Sequence, residues 1–123
     1  MNLLLDTHIL IWWDEGRRIA AEARRAIEQA DAVYVSAASA WEVAIKTALG
    51  RLRPTRTVEQ ATAESGFLEL PITFRHAEQV TGLPPHHRDP FDRMLVAQAM
   101  VEALTLVTRD PMFTRYGVRA IGA

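Results

Sequence analysis

The sequence predicts an α/β fold: a mostly parallel β-sheet with helices on both faces, a three-layer α/β/α arrangement. Three observations carry that reading. The apolar run Leu3-Leu4-Leu5 stops at Asp6, as a buried strand does when it delivers an acid to the end of a sheet. Five strand-like segments alternate with helical patterns, which calls for parallel crossovers. The chain has 123 residues, 49% hydrophobic and 24% charged, enough for one compact domain over residues 1–123 with a core of its own. There is no cysteine, which excludes a disulfide framework and a thiolate metal site.

Taken in order, Asn2–Leu5 is the first strand and Thr7–Trp13 a short helix. Arg18–Gln29 is Ala-rich, with Ile19, Ala23, Ala26 and Ile27 in one apolar stripe, the spacing of an amphipathic helix. Ala32–Val35 is the second strand. Ser39–Leu49 is helical and is stopped by Gly50, a natural C-terminal cap. Thr57–Ser65 and Thr73–Thr81 are shorter helical patterns on either side of a strand at Gly66–Leu70. Pro84-Pro85-His86-His87-Arg88-Asp89-Pro90 is a loop feeding the helix Asp92–Ala103, whose Leu95, Val96, Ala99 and Met100 share a face. Leu104–Val107 and Val118–Ile121 are the last strands, with Pro111–Tyr116 as one or two turns between them.

The formal net charge is −1, so the molecule does not hold nucleic acid by overall charge. Arg17-Arg18, Arg24-Arg25, and Lys46 with Arg51, Arg53 and Arg56 form local basic clusters, which read first as solvated faces. The apolar stretch Leu3–Trp13 is interrupted by Asp6 and His8 and is too short to span a bilayer. No secretion signal is visible, and a cytoplasmic protein with no membrane contact is expected.

The acids carry the chemistry. Asp6, Asp92 and Asp110 lie at or near element junctions, as does Glu42. Each has a structural excuse: Ser39 with Glu42 reads as a capping box, Asp89-Pro90 and Asp110-Pro111 as caps followed by proline. Asp92 falls in a first helical turn, where the dipole favours an anion by roughly 0.3–1 kcal/mol, and Asp6 could cap the helix after it. Together the excuses weaken. Residues between a strand and the next helix lie at the carboxyl edge of the sheet, and several acids on one such edge repel unless a cation offsets them. Carboxylates without thiolates suit Mg²⁺, or Mn²⁺, rather than Zn²⁺. That set fits phosphodiester hydrolysis by a metal-activated water. The adjacent His86 and His87 lack the spacing of a zinc site; His8 edges the expected pocket in a hydrogen-bonding role. Trp12, Trp13 and Trp41 are expected in the core or half-buried, with a partner groove or a stacked base as the alternative.

Several segments resemble one family. Leu3-Leu4-Leu5-Asp6-Thr7-His8, Ser36–Lys46, Leu49-Gly50-Arg51-Leu52, His86–Ala99 and Leu104–Asp110 together resemble the PIN-domain nucleases, specifically the VapC-type toxins of bacterial toxin–antitoxin pairs. The resemblance implies a PIN-like parallel sheet and a Mg²⁺- or Mn²⁺-dependent endoribonuclease. By it Asp6, Glu42, Asp92 and Asp110 are the catalytic acids, and Asp6 and Asp92 the direct metal ligands. Thr108 and Thr7 are auxiliary. Asp89 departs from the simplest pattern, and Asp92 is favoured over it as the ligand. The resemblance also implies a cognate antitoxin, a homodimer and an RNA substrate; nothing in the chain resembles a DNA reader.

Two other readings remain. A haloacid-dehalogenase-like phosphatase also opens with a strand and an Asp, but it expects a second Asp where this chain has His8, and a later Lys. A non-catalytic protein- or RNA-binding α/β module would use every acid as a cap.

Overall fold

The computed structural model describes Met1–Ala123. Its centre is a five-stranded sheet in the order β3-β2-β1-β4-β5, with every neighbouring pair parallel. The strands are β1 (Asn2–Leu5), β2 (Ala32–Ser36), β3 (Leu68–Leu70), β4 (Thr105–Thr108) and β5 (Ala120–Gly122). The helices are α1 (Thr7–Asp14), α2 (Ala21–Gln29), α3 (Ala37–Ala48), α4 (Val58–Glu64), α5 (Phe74–Val80) and α6 (Pro90–Glu102), with a 3₁₀ helix over Pro111–Tyr116. No helix is long and apolar enough to cross a membrane.

Strand alternation divides the interior in two, because successive side chains point to opposite faces. Leu3, Leu5, Val33, Val35 and Val107 face one core, built with Ile9 and Leu10 of α1 and Ala23 and Ile27 of α2. Leu4 and Leu106 face the other, built with Leu95, Val96 and Ala99 of α6, and with Phe113 and Tyr116. All three leucines of β1 are fully buried, as a central strand covered on both faces requires. The chain leaves β1 in one direction to β2 and later returns to its other side at β4. The seam between β1 and β4 is therefore the switch point, where open α/β sheets bind their ligands.

Local corrections to the expected boundaries have identifiable causes. The second helix begins at Ala21 rather than Arg18. The Ala20 amide is drawn to the Ala123 carbonyl at 3.0 Å, and Arg109 takes the Arg18 carbonyl, so this stretch serves tertiary contacts instead. The third helix begins at Ala37, not Ser39, because Ser36 is its cap and accepts from the Ala38 amide. The third strand starts at Leu68; Gly66, at φ +71°, ends the helix before it. The last helix begins at Pro90 with Asp89 as its cap. Two capping boxes, Thr57 with Gln60 and Thr73 with His76, start α4 and α5. His76 is fully buried. Its Nδ1 accepts from the Thr73 amide, so Nε2 carries the proton and donates to Glu102 at 2.8 Å, tying α5 to α6.

Candidate active site

Asp6, Glu42, Asp89, Asp92 and Asp110 line one cavity of about 470 Å³, together with Lys46, His8, Ile9, Trp12 and Arg109. Four separate chain segments supply the acids. Asp6 follows β1 directly and its amide bonds the Val107 carbonyl, which places it on the seam with β4. Glu42 comes from α3, Asp89 and Asp92 from the head of α6, and Asp110 from the turn after β4.

The caps do not account for all of them. Asp6 stands before α1 but makes no side-chain cap; its Oδ2 accepts instead from the Thr108 hydroxyl at 2.7 Å. Glu42 lies in the second turn of α3, because the helix starts three residues earlier than a cap at Ser39 would require. Glu42 is buried, with Oε1 accepting from Thr7 at 2.7 Å and Oε2 from Lys46 at 2.6 Å. The single Thr7 proton goes to that carboxylate, and the Ser39 hydroxyl, 2.8 Å away, donates in return. Asp89 and Asp110 do cap. Asp89 Oδ1 accepts from the Phe91 and Asp92 amides, and Asp110 Oδ1 from the Met112 amide at 2.8 Å.

The site is electrostatically unbalanced. Five carboxylates face two cations, Lys46 and Arg109, which leaves three negative charges uncompensated at full ionisation. Asp92 bears the consequence: burial, then repulsion from Asp89 and Asp6, raises its pKa from 3.8 to about 7, against an opposing pull from His87. Burial also lifts Asp6, opposed by the Thr108 hydrogen bond and the charge of His8. Lys46 is held above its ordinary value, chiefly by its hydrogen bond to Glu42, despite partial desolvation. For Asp110 burial pulls upward, but the hydrogen bonds from His87 and Met112 outweigh it and hold the carboxyl low.

These residues fit a hard divalent cation. The acidic donors are all oxygen, Asp92 has no hydrogen bond that would offset its charge, and the excess charge is negative. No three His, Cys, Asp or Glu side chains are drawn close enough to clasp an ion by themselves. Mg²⁺ tolerates this, since it keeps several waters and takes one or two carboxylates plus phosphate oxygens.

Sequence reasoning missed several neighbours of the acids. His87 Nε2 bonds Asp110 Oδ2 at 2.7 Å while Nδ1 bonds the Tyr116 hydroxyl at 2.8 Å, and its side chain is only 9% exposed. The His-His pair of the loop was visible as a motif, but not its bond to an aspartate 23 residues on. Lys46 had a readable signal, four residues after Glu42. Arg109 had none. Of the tryptophans, Trp12 and Trp13 pack against the first core, but Trp41 is 62% exposed. The Trp41 ring meets Phe91 edge-on, with centroids 5.4 Å apart.

Comparisons agree with this geometry. The profile of the family described as PIN domain matches residues 3–119. The chain belongs to the PIN-domain family. It is 34% identical over 114 residues to ribonuclease VapC22 of Mycobacterium tuberculosis, covering 89% of this chain and 87% of that protein; this PIN domain is thus of the VapC type. Two solved structures share the fold. VapBC2 of Rickettsia felis, bound to a promoter DNA fragment, superposes with a TM-score of 0.70 at 14% identity over 99% of this chain and 98% of that one. A toxin–antitoxin complex from Klebsiella pneumoniae gives 0.67 at 24% identity, covering 97% and 95%.

Proposed function

We propose that this VapC-type PIN domain is a Mg²⁺-dependent endoribonuclease, with Mn²⁺ able to substitute, and the toxin of a toxin–antitoxin pair. The observation that carries the reading is the meeting of five acids at the β1/β4 seam with more negative charge than Lys46 and Arg109 offset. Asp6 and Asp92 would hold the ion, being the two acids whose carboxyls are raised by burial and crowding. When bound, the ion would supply a water of lowered pKa and would steady charge on the phosphate.

The chain's own residues set that chemistry up. Thr108 fixes the Asp6 carboxylate from below. Thr7 and Lys46 occupy both oxygens of Glu42, so Glu42 orders α1 against α3 and keeps Lys46 at the rim, where a cation can meet the substrate phosphate. His87 and the Met112 amide hold Asp110 ionised, so it adds negative charge without binding a proton. The phosphatase reading finds no support, since His8 stands where that class needs its second Asp.

The relative is named a ribonuclease, and the Klebsiella structure is a toxin–antitoxin complex; both support RNA as substrate and an antitoxin as partner here. Trp41 and Ile45 of α3 and its C-cap Leu49 lie four residues apart and are exposed, as is Phe74 at 87%. Exposed apolar groups of this size suit protein partners, here an antitoxin and a second copy of the chain. A cytoplasmic location belongs to the same reading. The test is cleavage of a mixed RNA pool: cutting in Mg²⁺, none in EDTA, and none by Asp6→Asn with its fold retained. Cleavage by Asp6→Asn at the parent rate would overturn the mechanism.

A further inference from the structure

The cavity has two unlike walls. One is acidic. The other consists of His8, Ile9, Trp12 and Arg109. Arg109 immediately precedes Asp110 and shares a cavity with five carboxylates, yet its contacts lie elsewhere. Its guanidinium carbon sits 4.2 Å above the Trp12 ring, and Nη2 donates to the Arg18 carbonyl at 3.2 Å. The His8 ring lies against the same indole at 5.8 Å, tilted by 45°. Lys46, the other cation of the cavity, is tied to Glu42.

From this we propose that Arg109, with Trp12 and His8 behind it, forms a nucleobase-stacking subsite that holds one base of a single-stranded RNA beside the acidic cluster. The inference rests on the nuclease reading and deepens it.

Arg109 is exposed, so the guanidinium surface away from Trp12 faces water. A guanidinium plane is a stacking surface for an unpaired base, and aromatic groups serve the same end. It also attracts the adjoining phosphate, which offsets the repulsion an RNA strand meets from the acids. The stack on Trp12 and the bond to Arg18 fix the arginine in advance, which lowers the entropy lost when the base arrives. The cavity volume falls in the range of roughly 300–1,000 Å³ that small-ligand sites occupy. A peptide helix fits less well, since only Ile9 and Trp12 among the lining residues are hydrophobic and a groove for an amphipathic helix is lined by apolar residues.

The test measures binding of a labelled short single-stranded RNA in Mg²⁺, on an Asp6→Asn background that removes cleavage. Arg109→Lys keeps the charge but loses the plane and the bond to the Arg18 carbonyl, so a thermal melt of the variant accompanies the binding curve. Expected is a loss of affinity on the order of tenfold, the scale of one stacked base. An abasic nucleotide walked along the RNA should weaken the Asp6→Asn protein at one position by a similar factor, and the Arg109→Lys variant at none. Equal binding by Arg109→Lys, or a flat abasic scan, would overturn the subsite and leave Arg109 as a phosphate contact or a protein contact. If wild type cuts RNA while the scan is flat, only the subsite falls. If wild type leaves RNA intact in Mg²⁺ and the Asp6→Asn protein does not bind it, the nuclease reading and the subsite fall together.

Discussion

Asp92→Asn tests the electrostatic core of the site. In the folded chain Asp92 binds its proton up to about pH 7, whereas its ordinary value is 3.8. The folded state therefore carries more protons than the unfolded state between those values, and stability must fall as pH rises through that window. Three pH units at about 1.4 kcal/mol each would make the full cost roughly 4 kcal/mol. Asp92 is only half-buried, so screening by water reduces this to roughly 2 kcal/mol. An asparagine of the same shape has no charge to lose. At pH 8 Asp92→Asn should exceed the parent by roughly 2 kcal/mol, about 6–8 °C in Tm for a chain of this length, and the advantage should vanish near pH 4. Millimolar Mn²⁺ should raise the parent Tm at pH 8 by mass action and raise the variant much less. Thermal melts at pH 4, 6 and 8, with and without Mn²⁺, read all of this. Parallel pH profiles for the two proteins, or a variant less stable at pH 8, would show that the acids do not crowd Asp92, and the argument for a cation would lose its basis.

Three further outcomes follow from the same geometry. His87→Ala removes one of the two bonds that keep the Asp110 carboxyl low, so the stability Asp110 contributes above pH 4, which the parent loses as pH falls through its depressed pKa, should shrink; urea midpoints from pH 5 to 2.5 measure the difference, and a constant gap between the proteins across that range would contradict it. Ala103 closes α6 at φ 54°, so Ala103→Gly should stabilise by roughly 0.5–1 kcal/mol in chemical denaturation, and a loss would show that the left-handed cap carries no strain. Leu4 is fully buried in the second core, and Leu4→Ala should cost about 2–5 kcal/mol; a loss below 1 kcal/mol would mean that the core closes over the gap.

The parts of the fold legible in the sequence were those with local signals. Leu3-Leu4-Leu5 before Asp6 marked the central strand because a run buried on both faces needs no alternation. Gly50, Asp89-Pro90 and Asp110-Pro111 marked helix ends because cap chemistry is short-range. Boundaries failed where a distant group intervened: Arg18–Ala20 is held out of α2 by Ala123 and Arg109, which no window of that stretch contains. The Ser39–Glu42 capping box goes unused for a related reason. Ser36 offers a competing cap three residues earlier, which puts Glu42 in the second turn, against Thr7 and Lys46. Trp41 is exposed because it lies one residue, about 100°, round α3 from the buried Glu42. The five acids were readable as a set, but their shared cavity depends on strand order, which periodicity does not give. The Tyr116–His87–Asp110 chain joins a loop to a 3₁₀ turn, and nothing in either segment announces the other.

The bond from Thr108 to Asp6 spans 102 residues of sequence, and β4 fills its place beside β1 only after every other strand but β5 has been made. A nascent chain leaving the ribosome thus carries Asp6 and Glu42 long before Asp110 emerges, and long-range closure of this kind comes late in folding. The pocket is therefore complete only when β4 has docked against β1. A chain cut before Thr105 would hold Asp6 and Glu42 without the strand that fixes the first and without Asp110.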